Sequence, residues 1–164
     1  MLKSLEMKST RSPFLFLFIL LSCHAPDNKR KPSSRSKDVQ AIERVILDAY
    51  VDGLQNEGDT LKIDAGFHPS FSLVGKKGDG SLRLLPISEW RAYQAERARK
   101  GELPRPDSLR VSAEFELVDI SDDVAVAKLH YYEGGKQTYI DYITLYRFKD
   151  GWKMMSKYYT PVGE

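Results

Sequence analysis

Hydrophobic and polar positions change their spacing along this chain. Over Asp38–Asn56 the apolar positions are Val39, Ile42, Ile46, Ala49, Tyr50, Gly53 and Leu54. That spacing draws one continuous stripe along a helix. Ser36 or Asp38 is placed to cap its start, and Gly58 falls just past its end. Thr60–Ala65 predicts a short second helix, which Pro69 closes by disfavouring helix at His68. Phe71–Val74 predicts a short strand, residues 75–80 a turn, and Leu82–Leu85 a return strand. The glycines of that turn make no phosphate loop, because no G-K-[ST] follows and no strand leads into a helix. Ser88–Lys100 predicts a third helix, with Ser88 as N-cap and Trp90, Tyr93 and Ala98 on its apolar side. Two prolines make Leu103–Ser108 a loop.

From about Leu109 the period falls to two. Val111, Ala113, Phe115 and Leu117 alternate with Ser112, Glu114 and Glu116. Turn signals at Asp122-Asp123, Gly134-Gly135 and Asp150-Gly151 then separate Val124–Glu133, Gln137–Phe148 and Trp152–Thr160. Helices followed by four strands predict an α+β domain: three helices packed on a curved, mainly antiparallel sheet. There is no internal repeat.

The N-terminus has a different composition. Lys8 and Arg11 precede Phe14–Leu21, an apolar run of eight residues. A bilayer span needs about 20 residues, so the run fits an export signal instead. Leu20-Leu21-Ser22-Cys23 resembles a bacterial lipobox, in which the cysteine is lipidated after cleavage just before it. His24 stands at the next position, without the Asp of an inner-membrane retention signal, which favours the outer membrane. Met7 is a second possible start. Residues 24–37 are Pro-, Ser- and charge-rich and predict a flexible tether. The expected organisation is therefore a signal peptide over 1–22, a lipidated Cys23 with tether over 23–37, and one domain over 38–164. Membrane attachment is expected through the lipid anchor.

Charge follows the same division. The chain carries a net +2, yet five basic residues against Asp27 lie in the tether, and the predicted domain alone sums to −4. A mildly acidic domain does not suit nucleic-acid binding. The single cysteine removes any disulfide framework, and three scattered histidines make no metal site. No cofactor is implied.

Several stretches carry a family likeness. Ala49–Leu54 with Gly58-Asp59 resembles the first-helix pattern of the NTF2-like (SnoaL-like) superfamily. Phe67–Leu73 resembles that superfamily's approach to its first strand, and Tyr139–Leu145, Gly151–Met154 and Ser156-Lys157 resemble its terminal hairpin. The nearest subgroup is the one labelled "putative lumazine-binding", over about Asp38–Thr160. The resemblance implies a cone-shaped fold with a cavity between helices and sheet. Period-two reading then points Trp152, Met154, Ser156 and Tyr158 inward from the last strand. It points Tyr142, Thr144 and Tyr146 inward from the strand before it, and Leu129 and Tyr131 from the earlier one. The helices would add Tyr50, Trp90 and Tyr93.

The pocket candidates are Tyr50, His68, Trp90, Tyr93, Tyr131, Tyr142, Thr144, Ser156 and Tyr158, an aromatic lining with few charges. It suits a small apolar or aromatic molecule held without catalysis. The alternatives are an isomerase, dehydratase or hydrolase using the same pocket, and a protein–protein scaffold. Against the ketosteroid isomerase branch, Tyr50 occupies the helix-one tyrosine position. Gly75 falls near its general base and Thr144 on its buried Asp, so two of three groups are missing. The hydratase-like branch wants an Asp–His pair, but this register points Asp141 outward and makes His68 a structural histidine. No catalytic residue is assigned. Lys157 and Arg147 read as solvated. His130, Tyr132, Tyr139 and Tyr159 would form an aromatic outer sheet face suited to a homodimer.

Overall fold

The computed structural model describes residues 34–163. The expected signal segment and Cys23 lie outside the described residues. Helix α1 spans Ser34–Val45 and runs on as a π-helical segment, Ile46–Glu57. The helical stripe is therefore real, but it starts ahead of both Ser36 and Asp38, so neither caps it. Asp38 instead meets Arg147 at 2.8 Å. Gly58 ends the π segment at φ 70°, where its missing Cβ avoids left-handed strain.

Helix α2 spans Thr60–Gly66, and Asp59 caps it by accepting from the Leu61 and Lys62 amides. Strand β1 (Phe67–Lys76) and β2 (Leu82–Pro86) follow, then helix α3 (Ile87–Arg99). Pro86, not Ser88, stands at the N-cap of α3, and no side chain caps it. Four long strands complete the chain: β3 (Val111–Ser121), β4 (Val124–Glu133), β5 (Lys136–Phe148) and β6 (Gly151–Pro161).

The sheet order is β2-β1-β6-β5-β4-β3. All neighbours are antiparallel except β1 and β6, which pair in parallel and bring the early hairpin beside the last strand. The helices supply Ile42, Ile46, Ala49, Leu54, Ile63 and Ile87 to one core. The sheet answers with Ala127, Leu129, Ile143, Leu145 and Met154. Each large aliphatic side chain so buried contributes about 1.5–3 kcal/mol.

Three β-bulges decide which side chains reach that core. Glu116 is the extra residue between Phe115 and Leu117, so Leu117 turns outward and Val118 and Ile120 face the core instead. Thr138 is extra opposite Tyr131/Tyr132. Met155 is extra between Met154, which pairs with Leu145, and Ser156, which pairs with Thr144. A bulge inserts one residue and reverses the facing of all that follows.

Candidate functional site

The Met155 bulge sets the inner face of β6. Trp152 and Met154 point inward as expected. Past the bulge, Lys157 and Tyr159 point inward, and Ser156 and Tyr158 outward. On β5 the inward row is Tyr139, Asp141, Ile143 and Leu145. Tyr142, Thr144 and Tyr146 therefore belong to the outer face, with Tyr142 and Tyr158 42% and 49% exposed. The Thr144 and Ser156 hydroxyls bond each other there at 2.7 Å. Four pocket candidates are thereby corrected: Tyr142, Thr144, Ser156 and Tyr158 do not line the inner cavity. Tyr93 is corrected too, because it is 61% exposed and lines a neighbouring hollow instead. Tyr139 and Tyr159, expected outside, face inward, whereas His130 and Tyr132 lie on the other face as expected.

Tyr50, Trp90 and Tyr131 do come together. The rings of Tyr50 and Trp90 meet edge to face at 6.0 Å, and Tyr50 and Tyr131 also lie 6.0 Å apart. Tyr131, Tyr139 and Tyr159 continue the array at 5.8 and 5.3 Å. These rings, with Gln55, Leu73, Glu133 and Lys157, line a cavity of about 210 Å³ between the helices and the sheet. Gly75 on β1 helps shape it. A Cβ there would lie 2.7 Å from the Tyr159 hydroxyl, so only glycine lets that ring keep its place.

At the base of the cavity stands a charged cluster. Asp141 is fully buried and Lys157 is 5% exposed. Lys157 Nζ donates to Asp141 Oδ1 at 2.6 Å, and the Tyr50 hydroxyl donates to Asp141 Oδ2 at 2.8 Å. Nζ also lies 5.0, 5.8 and 5.1 Å from the ring centres of Tyr50, Tyr131 and Tyr159. The ammonium is thus held by one carboxylate and three π faces, the groups that offset its lost hydration. Burial pushes the Lys157 amine below the ordinary lysine value, while Asp141 pulls the other way. Burial, and then the Asp141 charge, raises the Tyr50 phenol well above its usual value. Burial, and then Glu133, raises Tyr131 as well.

This cluster corrects two expectations. Lys157 is buried, not solvated, and Asp141 faces in, not out. The buried acid opposite Tyr50 is Asp141, three positions before Thr144. Both of its carboxylate oxygens accept hydrogen bonds, so it works as an acceptor, whereas an oxyanion hole needs a donor. Gly75 itself brings no side chain to the general-base position.

His68 lies elsewhere. Its ring stacks on Phe148 at 5.1 Å, and its Nδ1 accepts from the Ser70 amide. It borders a larger surface hollow of about 610 Å³ between α2, the start of α3 and the β5–β6 turn. The charges around that hollow are paired: Arg91 with Asp64 at 2.9 Å and Lys153 with Asp150 at 3.0 Å. Among the described residues, only the inner cavity holds a charged pair withdrawn from water, and that singles it out as the candidate site. A third hollow of about 420 Å³ shares Leu73 and Trp90 with it, so the two adjoin. Among the described residues, no three His, Cys, Asp or Glu side chains converge to hold a metal ion.

Residues 37–160 match the family described as "Putative lumazine-binding". Among solved structures, the fold resembles an NTF2-like protein of unknown function from Shewanella baltica OS155. That match has a TM-score of 0.60 and 20% identity, and covers 78% of this chain and 96% of that one. A second NTF2-like protein of unknown function, from Silicibacter pomeroyi DSS-3, gives 0.63 at 18% identity over 78% and 98%. An NTF2-like protein from Cytophaga hutchinsonii ATCC 33406 gives 0.54 at 12% identity over 79% and 98%. These likenesses establish the NTF2-like fold. No protein of curated function matches the chain.

Proposed function

Since this chain belongs to the family described as "Putative lumazine-binding", we propose that its inner cavity holds a small, flat, weakly polar molecule without transforming it. The observation that carries this reading is the buried Lys157–Asp141 pair, whose lysine lines the cavity beside a wall of tyrosines and Trp90 while Asp141 stands behind it. Aromatic faces supply stacking area, and an ammonium and phenols supply a few fixed hydrogen bonds, which is the usual make-up of a small-molecule site. At about 210 Å³ the cavity falls below the ~300–1,000 Å³ of drug-sized sites. A compact ligand fits it alone, and a longer one would extend past Trp90 into the adjoining hollow. Titration with heteroaromatic compounds should quench Trp90 fluorescence saturably. Saturable quenching that survives both Trp90→Phe and Tyr159→Ala would place binding elsewhere.

The N-terminal sequence supports a location for this site. The reading is a lipoprotein anchored through Cys23 to the bacterial outer membrane and facing the periplasm, with the residues between Cys23 and α1 as spacer. The expected tether over 24–37 is shortened at its end, since residues 34–37 belong to α1. No described helix is long and apolar enough to cross a membrane. The Cys23→Ser variant should lose both its acyl label and its membrane sedimentation. Retention of both would refute anchoring at this cysteine.

A second reading concerns the outer sheet face. Tyr142, Tyr146 and Tyr158 stand exposed there, 42%, 44% and 49%. Such an aromatic patch suits self-association into a homodimer.

A further inference from the structure

We propose that Lys157 captures small ketones or aldehydes as an iminium (Schiff base) in the inner cavity, with Asp141 as its proton partner and Tyr50 positioning Asp141. The inference uses the same cavity as the binding reading and rests on its being open to small molecules. Its ground is geometry. Lys157 offers a primary amine that lines a cavity, the only arrangement in which a buried lysine can meet a carbonyl compound. Asp141 Oδ1 lies 2.6 Å from Nζ, within direct proton-transfer reach. The Tyr50 hydroxyl, 2.8 Å from Oδ2, fixes the carboxylate plane. Burial also favours the free amine, the nucleophilic form.

The step balances with no outside reagent. The ammonium gives a proton to Asp141, and the freed electron pair on Nζ bonds the carbonyl carbon as the C=O π pair moves to oxygen. Asp141 returns the proton to that oxygen, leaving a carbinolamine. It then takes a proton from nitrogen and delivers it to the hydroxyl; the C–O bond breaks, water leaves and the C=N bond forms. Two N–H protons and the carbonyl oxygen have become water, and no electron has been gained or lost. The charge on nitrogen is +1 before and after. Asp141 and the three tyrosine faces that hold the ammonium therefore hold the iminium equally well, and no uncompensated charge appears in the buried site. A cavity of about 210 Å³ limits the partner to a small carbonyl compound.

The test is reductive trapping. The full-length protein, purified in mild detergent, is incubated with butanone or pyruvate and sodium cyanoborohydride, and the modified lysines are mapped by peptide mass spectrometry. The other lysines of the protein are internal controls. Lys157 should be alkylated several-fold faster than exposed Lys76, Lys77 and Lys149, because burial favours its free amine. The adduct should vanish in Lys157→Arg with the surface rates unchanged. It should form several-fold more slowly in Tyr50→Phe, a variant that keeps the ion pair and so separates positioning from folding. Label confined to surface lysines, or a Lys157 rate no higher than theirs, would overturn the proposal. Trp90 quenching by the same ketones without hydride separates the two readings. Quenching without an adduct sinks the iminium and leaves the binding site standing. Neither signal counts against both.

Discussion

Lys157 and Asp141 depend on each other. Each is buried, and each would be an uncompensated charge without its partner. Removing one partner of a buried pair costs about 3–5 kcal/mol, whereas a matched apolar replacement of both is often near neutral. Lys157→Met should therefore lower unfolding stability by about that amount in a denaturant titration, and the double variant Lys157→Met with Asp141→Leu should recover part of it. A loss in the double variant equal to the sum of the Lys157→Met and Asp141→Leu losses would mean the pair is not coupled. Alkaline pH probes the same cluster. The folded-state values of Tyr50 and Tyr131 lie above their unfolded ones. Their contribution is complete below about pH 10 and lost as pH climbs beyond it. Lys157 has the opposite sign: its folded value is lowered, so stability rises with pH until about 10.5, where its unfolded value lies. Above that point only the tyrosine loss remains. Absorbance titration should show Tyr50 and Tyr131 ionising only as the fold melts. Free titration of all nine tyrosines in folded protein would contradict their burial.

At the scale of elements, Asn56 joins helix to sheet. Its Nδ2 donates to the Val111 carbonyl at 3.0 Å and its Oδ1 accepts from the Val111 amide at 2.8 Å, so one side chain pairs with the first residue of β3 as a neighbouring strand would. Asn56→Ala leaves two buried backbone groups unpaired, and about 2–3 kcal/mol of stability should go with them. Thermal unfolding would measure it, and a loss below ~0.5 kcal/mol would show that water replaces both bonds. The four long strands were legible in the sequence because Asp-Asp, Gly-Gly and Asp-Gly turns bound them and the period-two pattern is strong. Their facing was less so. On β5 the even row, Ile140, Tyr142, Thr144 and Tyr146, looks more apolar than Tyr139, Asp141, Ile143 and Leu145. A carboxylate in the odd row argues against burial until Lys157 is known to face it. On β6 nothing in the sequence marks Met155 as a bulge, and that one residue moved Lys157 and Tyr159 in and Ser156 and Tyr158 out. The π-helical segment carries no local signal either, since its apolar stripe reads as ordinary helix.

For the whole molecule, the fold class and the convergence of Tyr50, Trp90 and Tyr131 on one cavity followed from pattern and resemblance. The charged base of that cavity did not, because it needs two strands in register. Outward exposure of Tyr142, Tyr146 and Tyr158 predicts a dimer by multi-angle light scattering, dispersed by Tyr146→Asp. A monomer at every concentration would free that face of any such role. The most direct test of the central claim, that the inner cavity is a small-molecule site, is native mass spectrometry. The protein is purified gently from a bacterial host and weighed before and after denaturation. The wild type should carry a small bound mass that denaturation releases and that the folded double variant Trp90→Ala, Tyr159→Ala lacks. A bare chain in both, or the same bound mass in both, would contradict it.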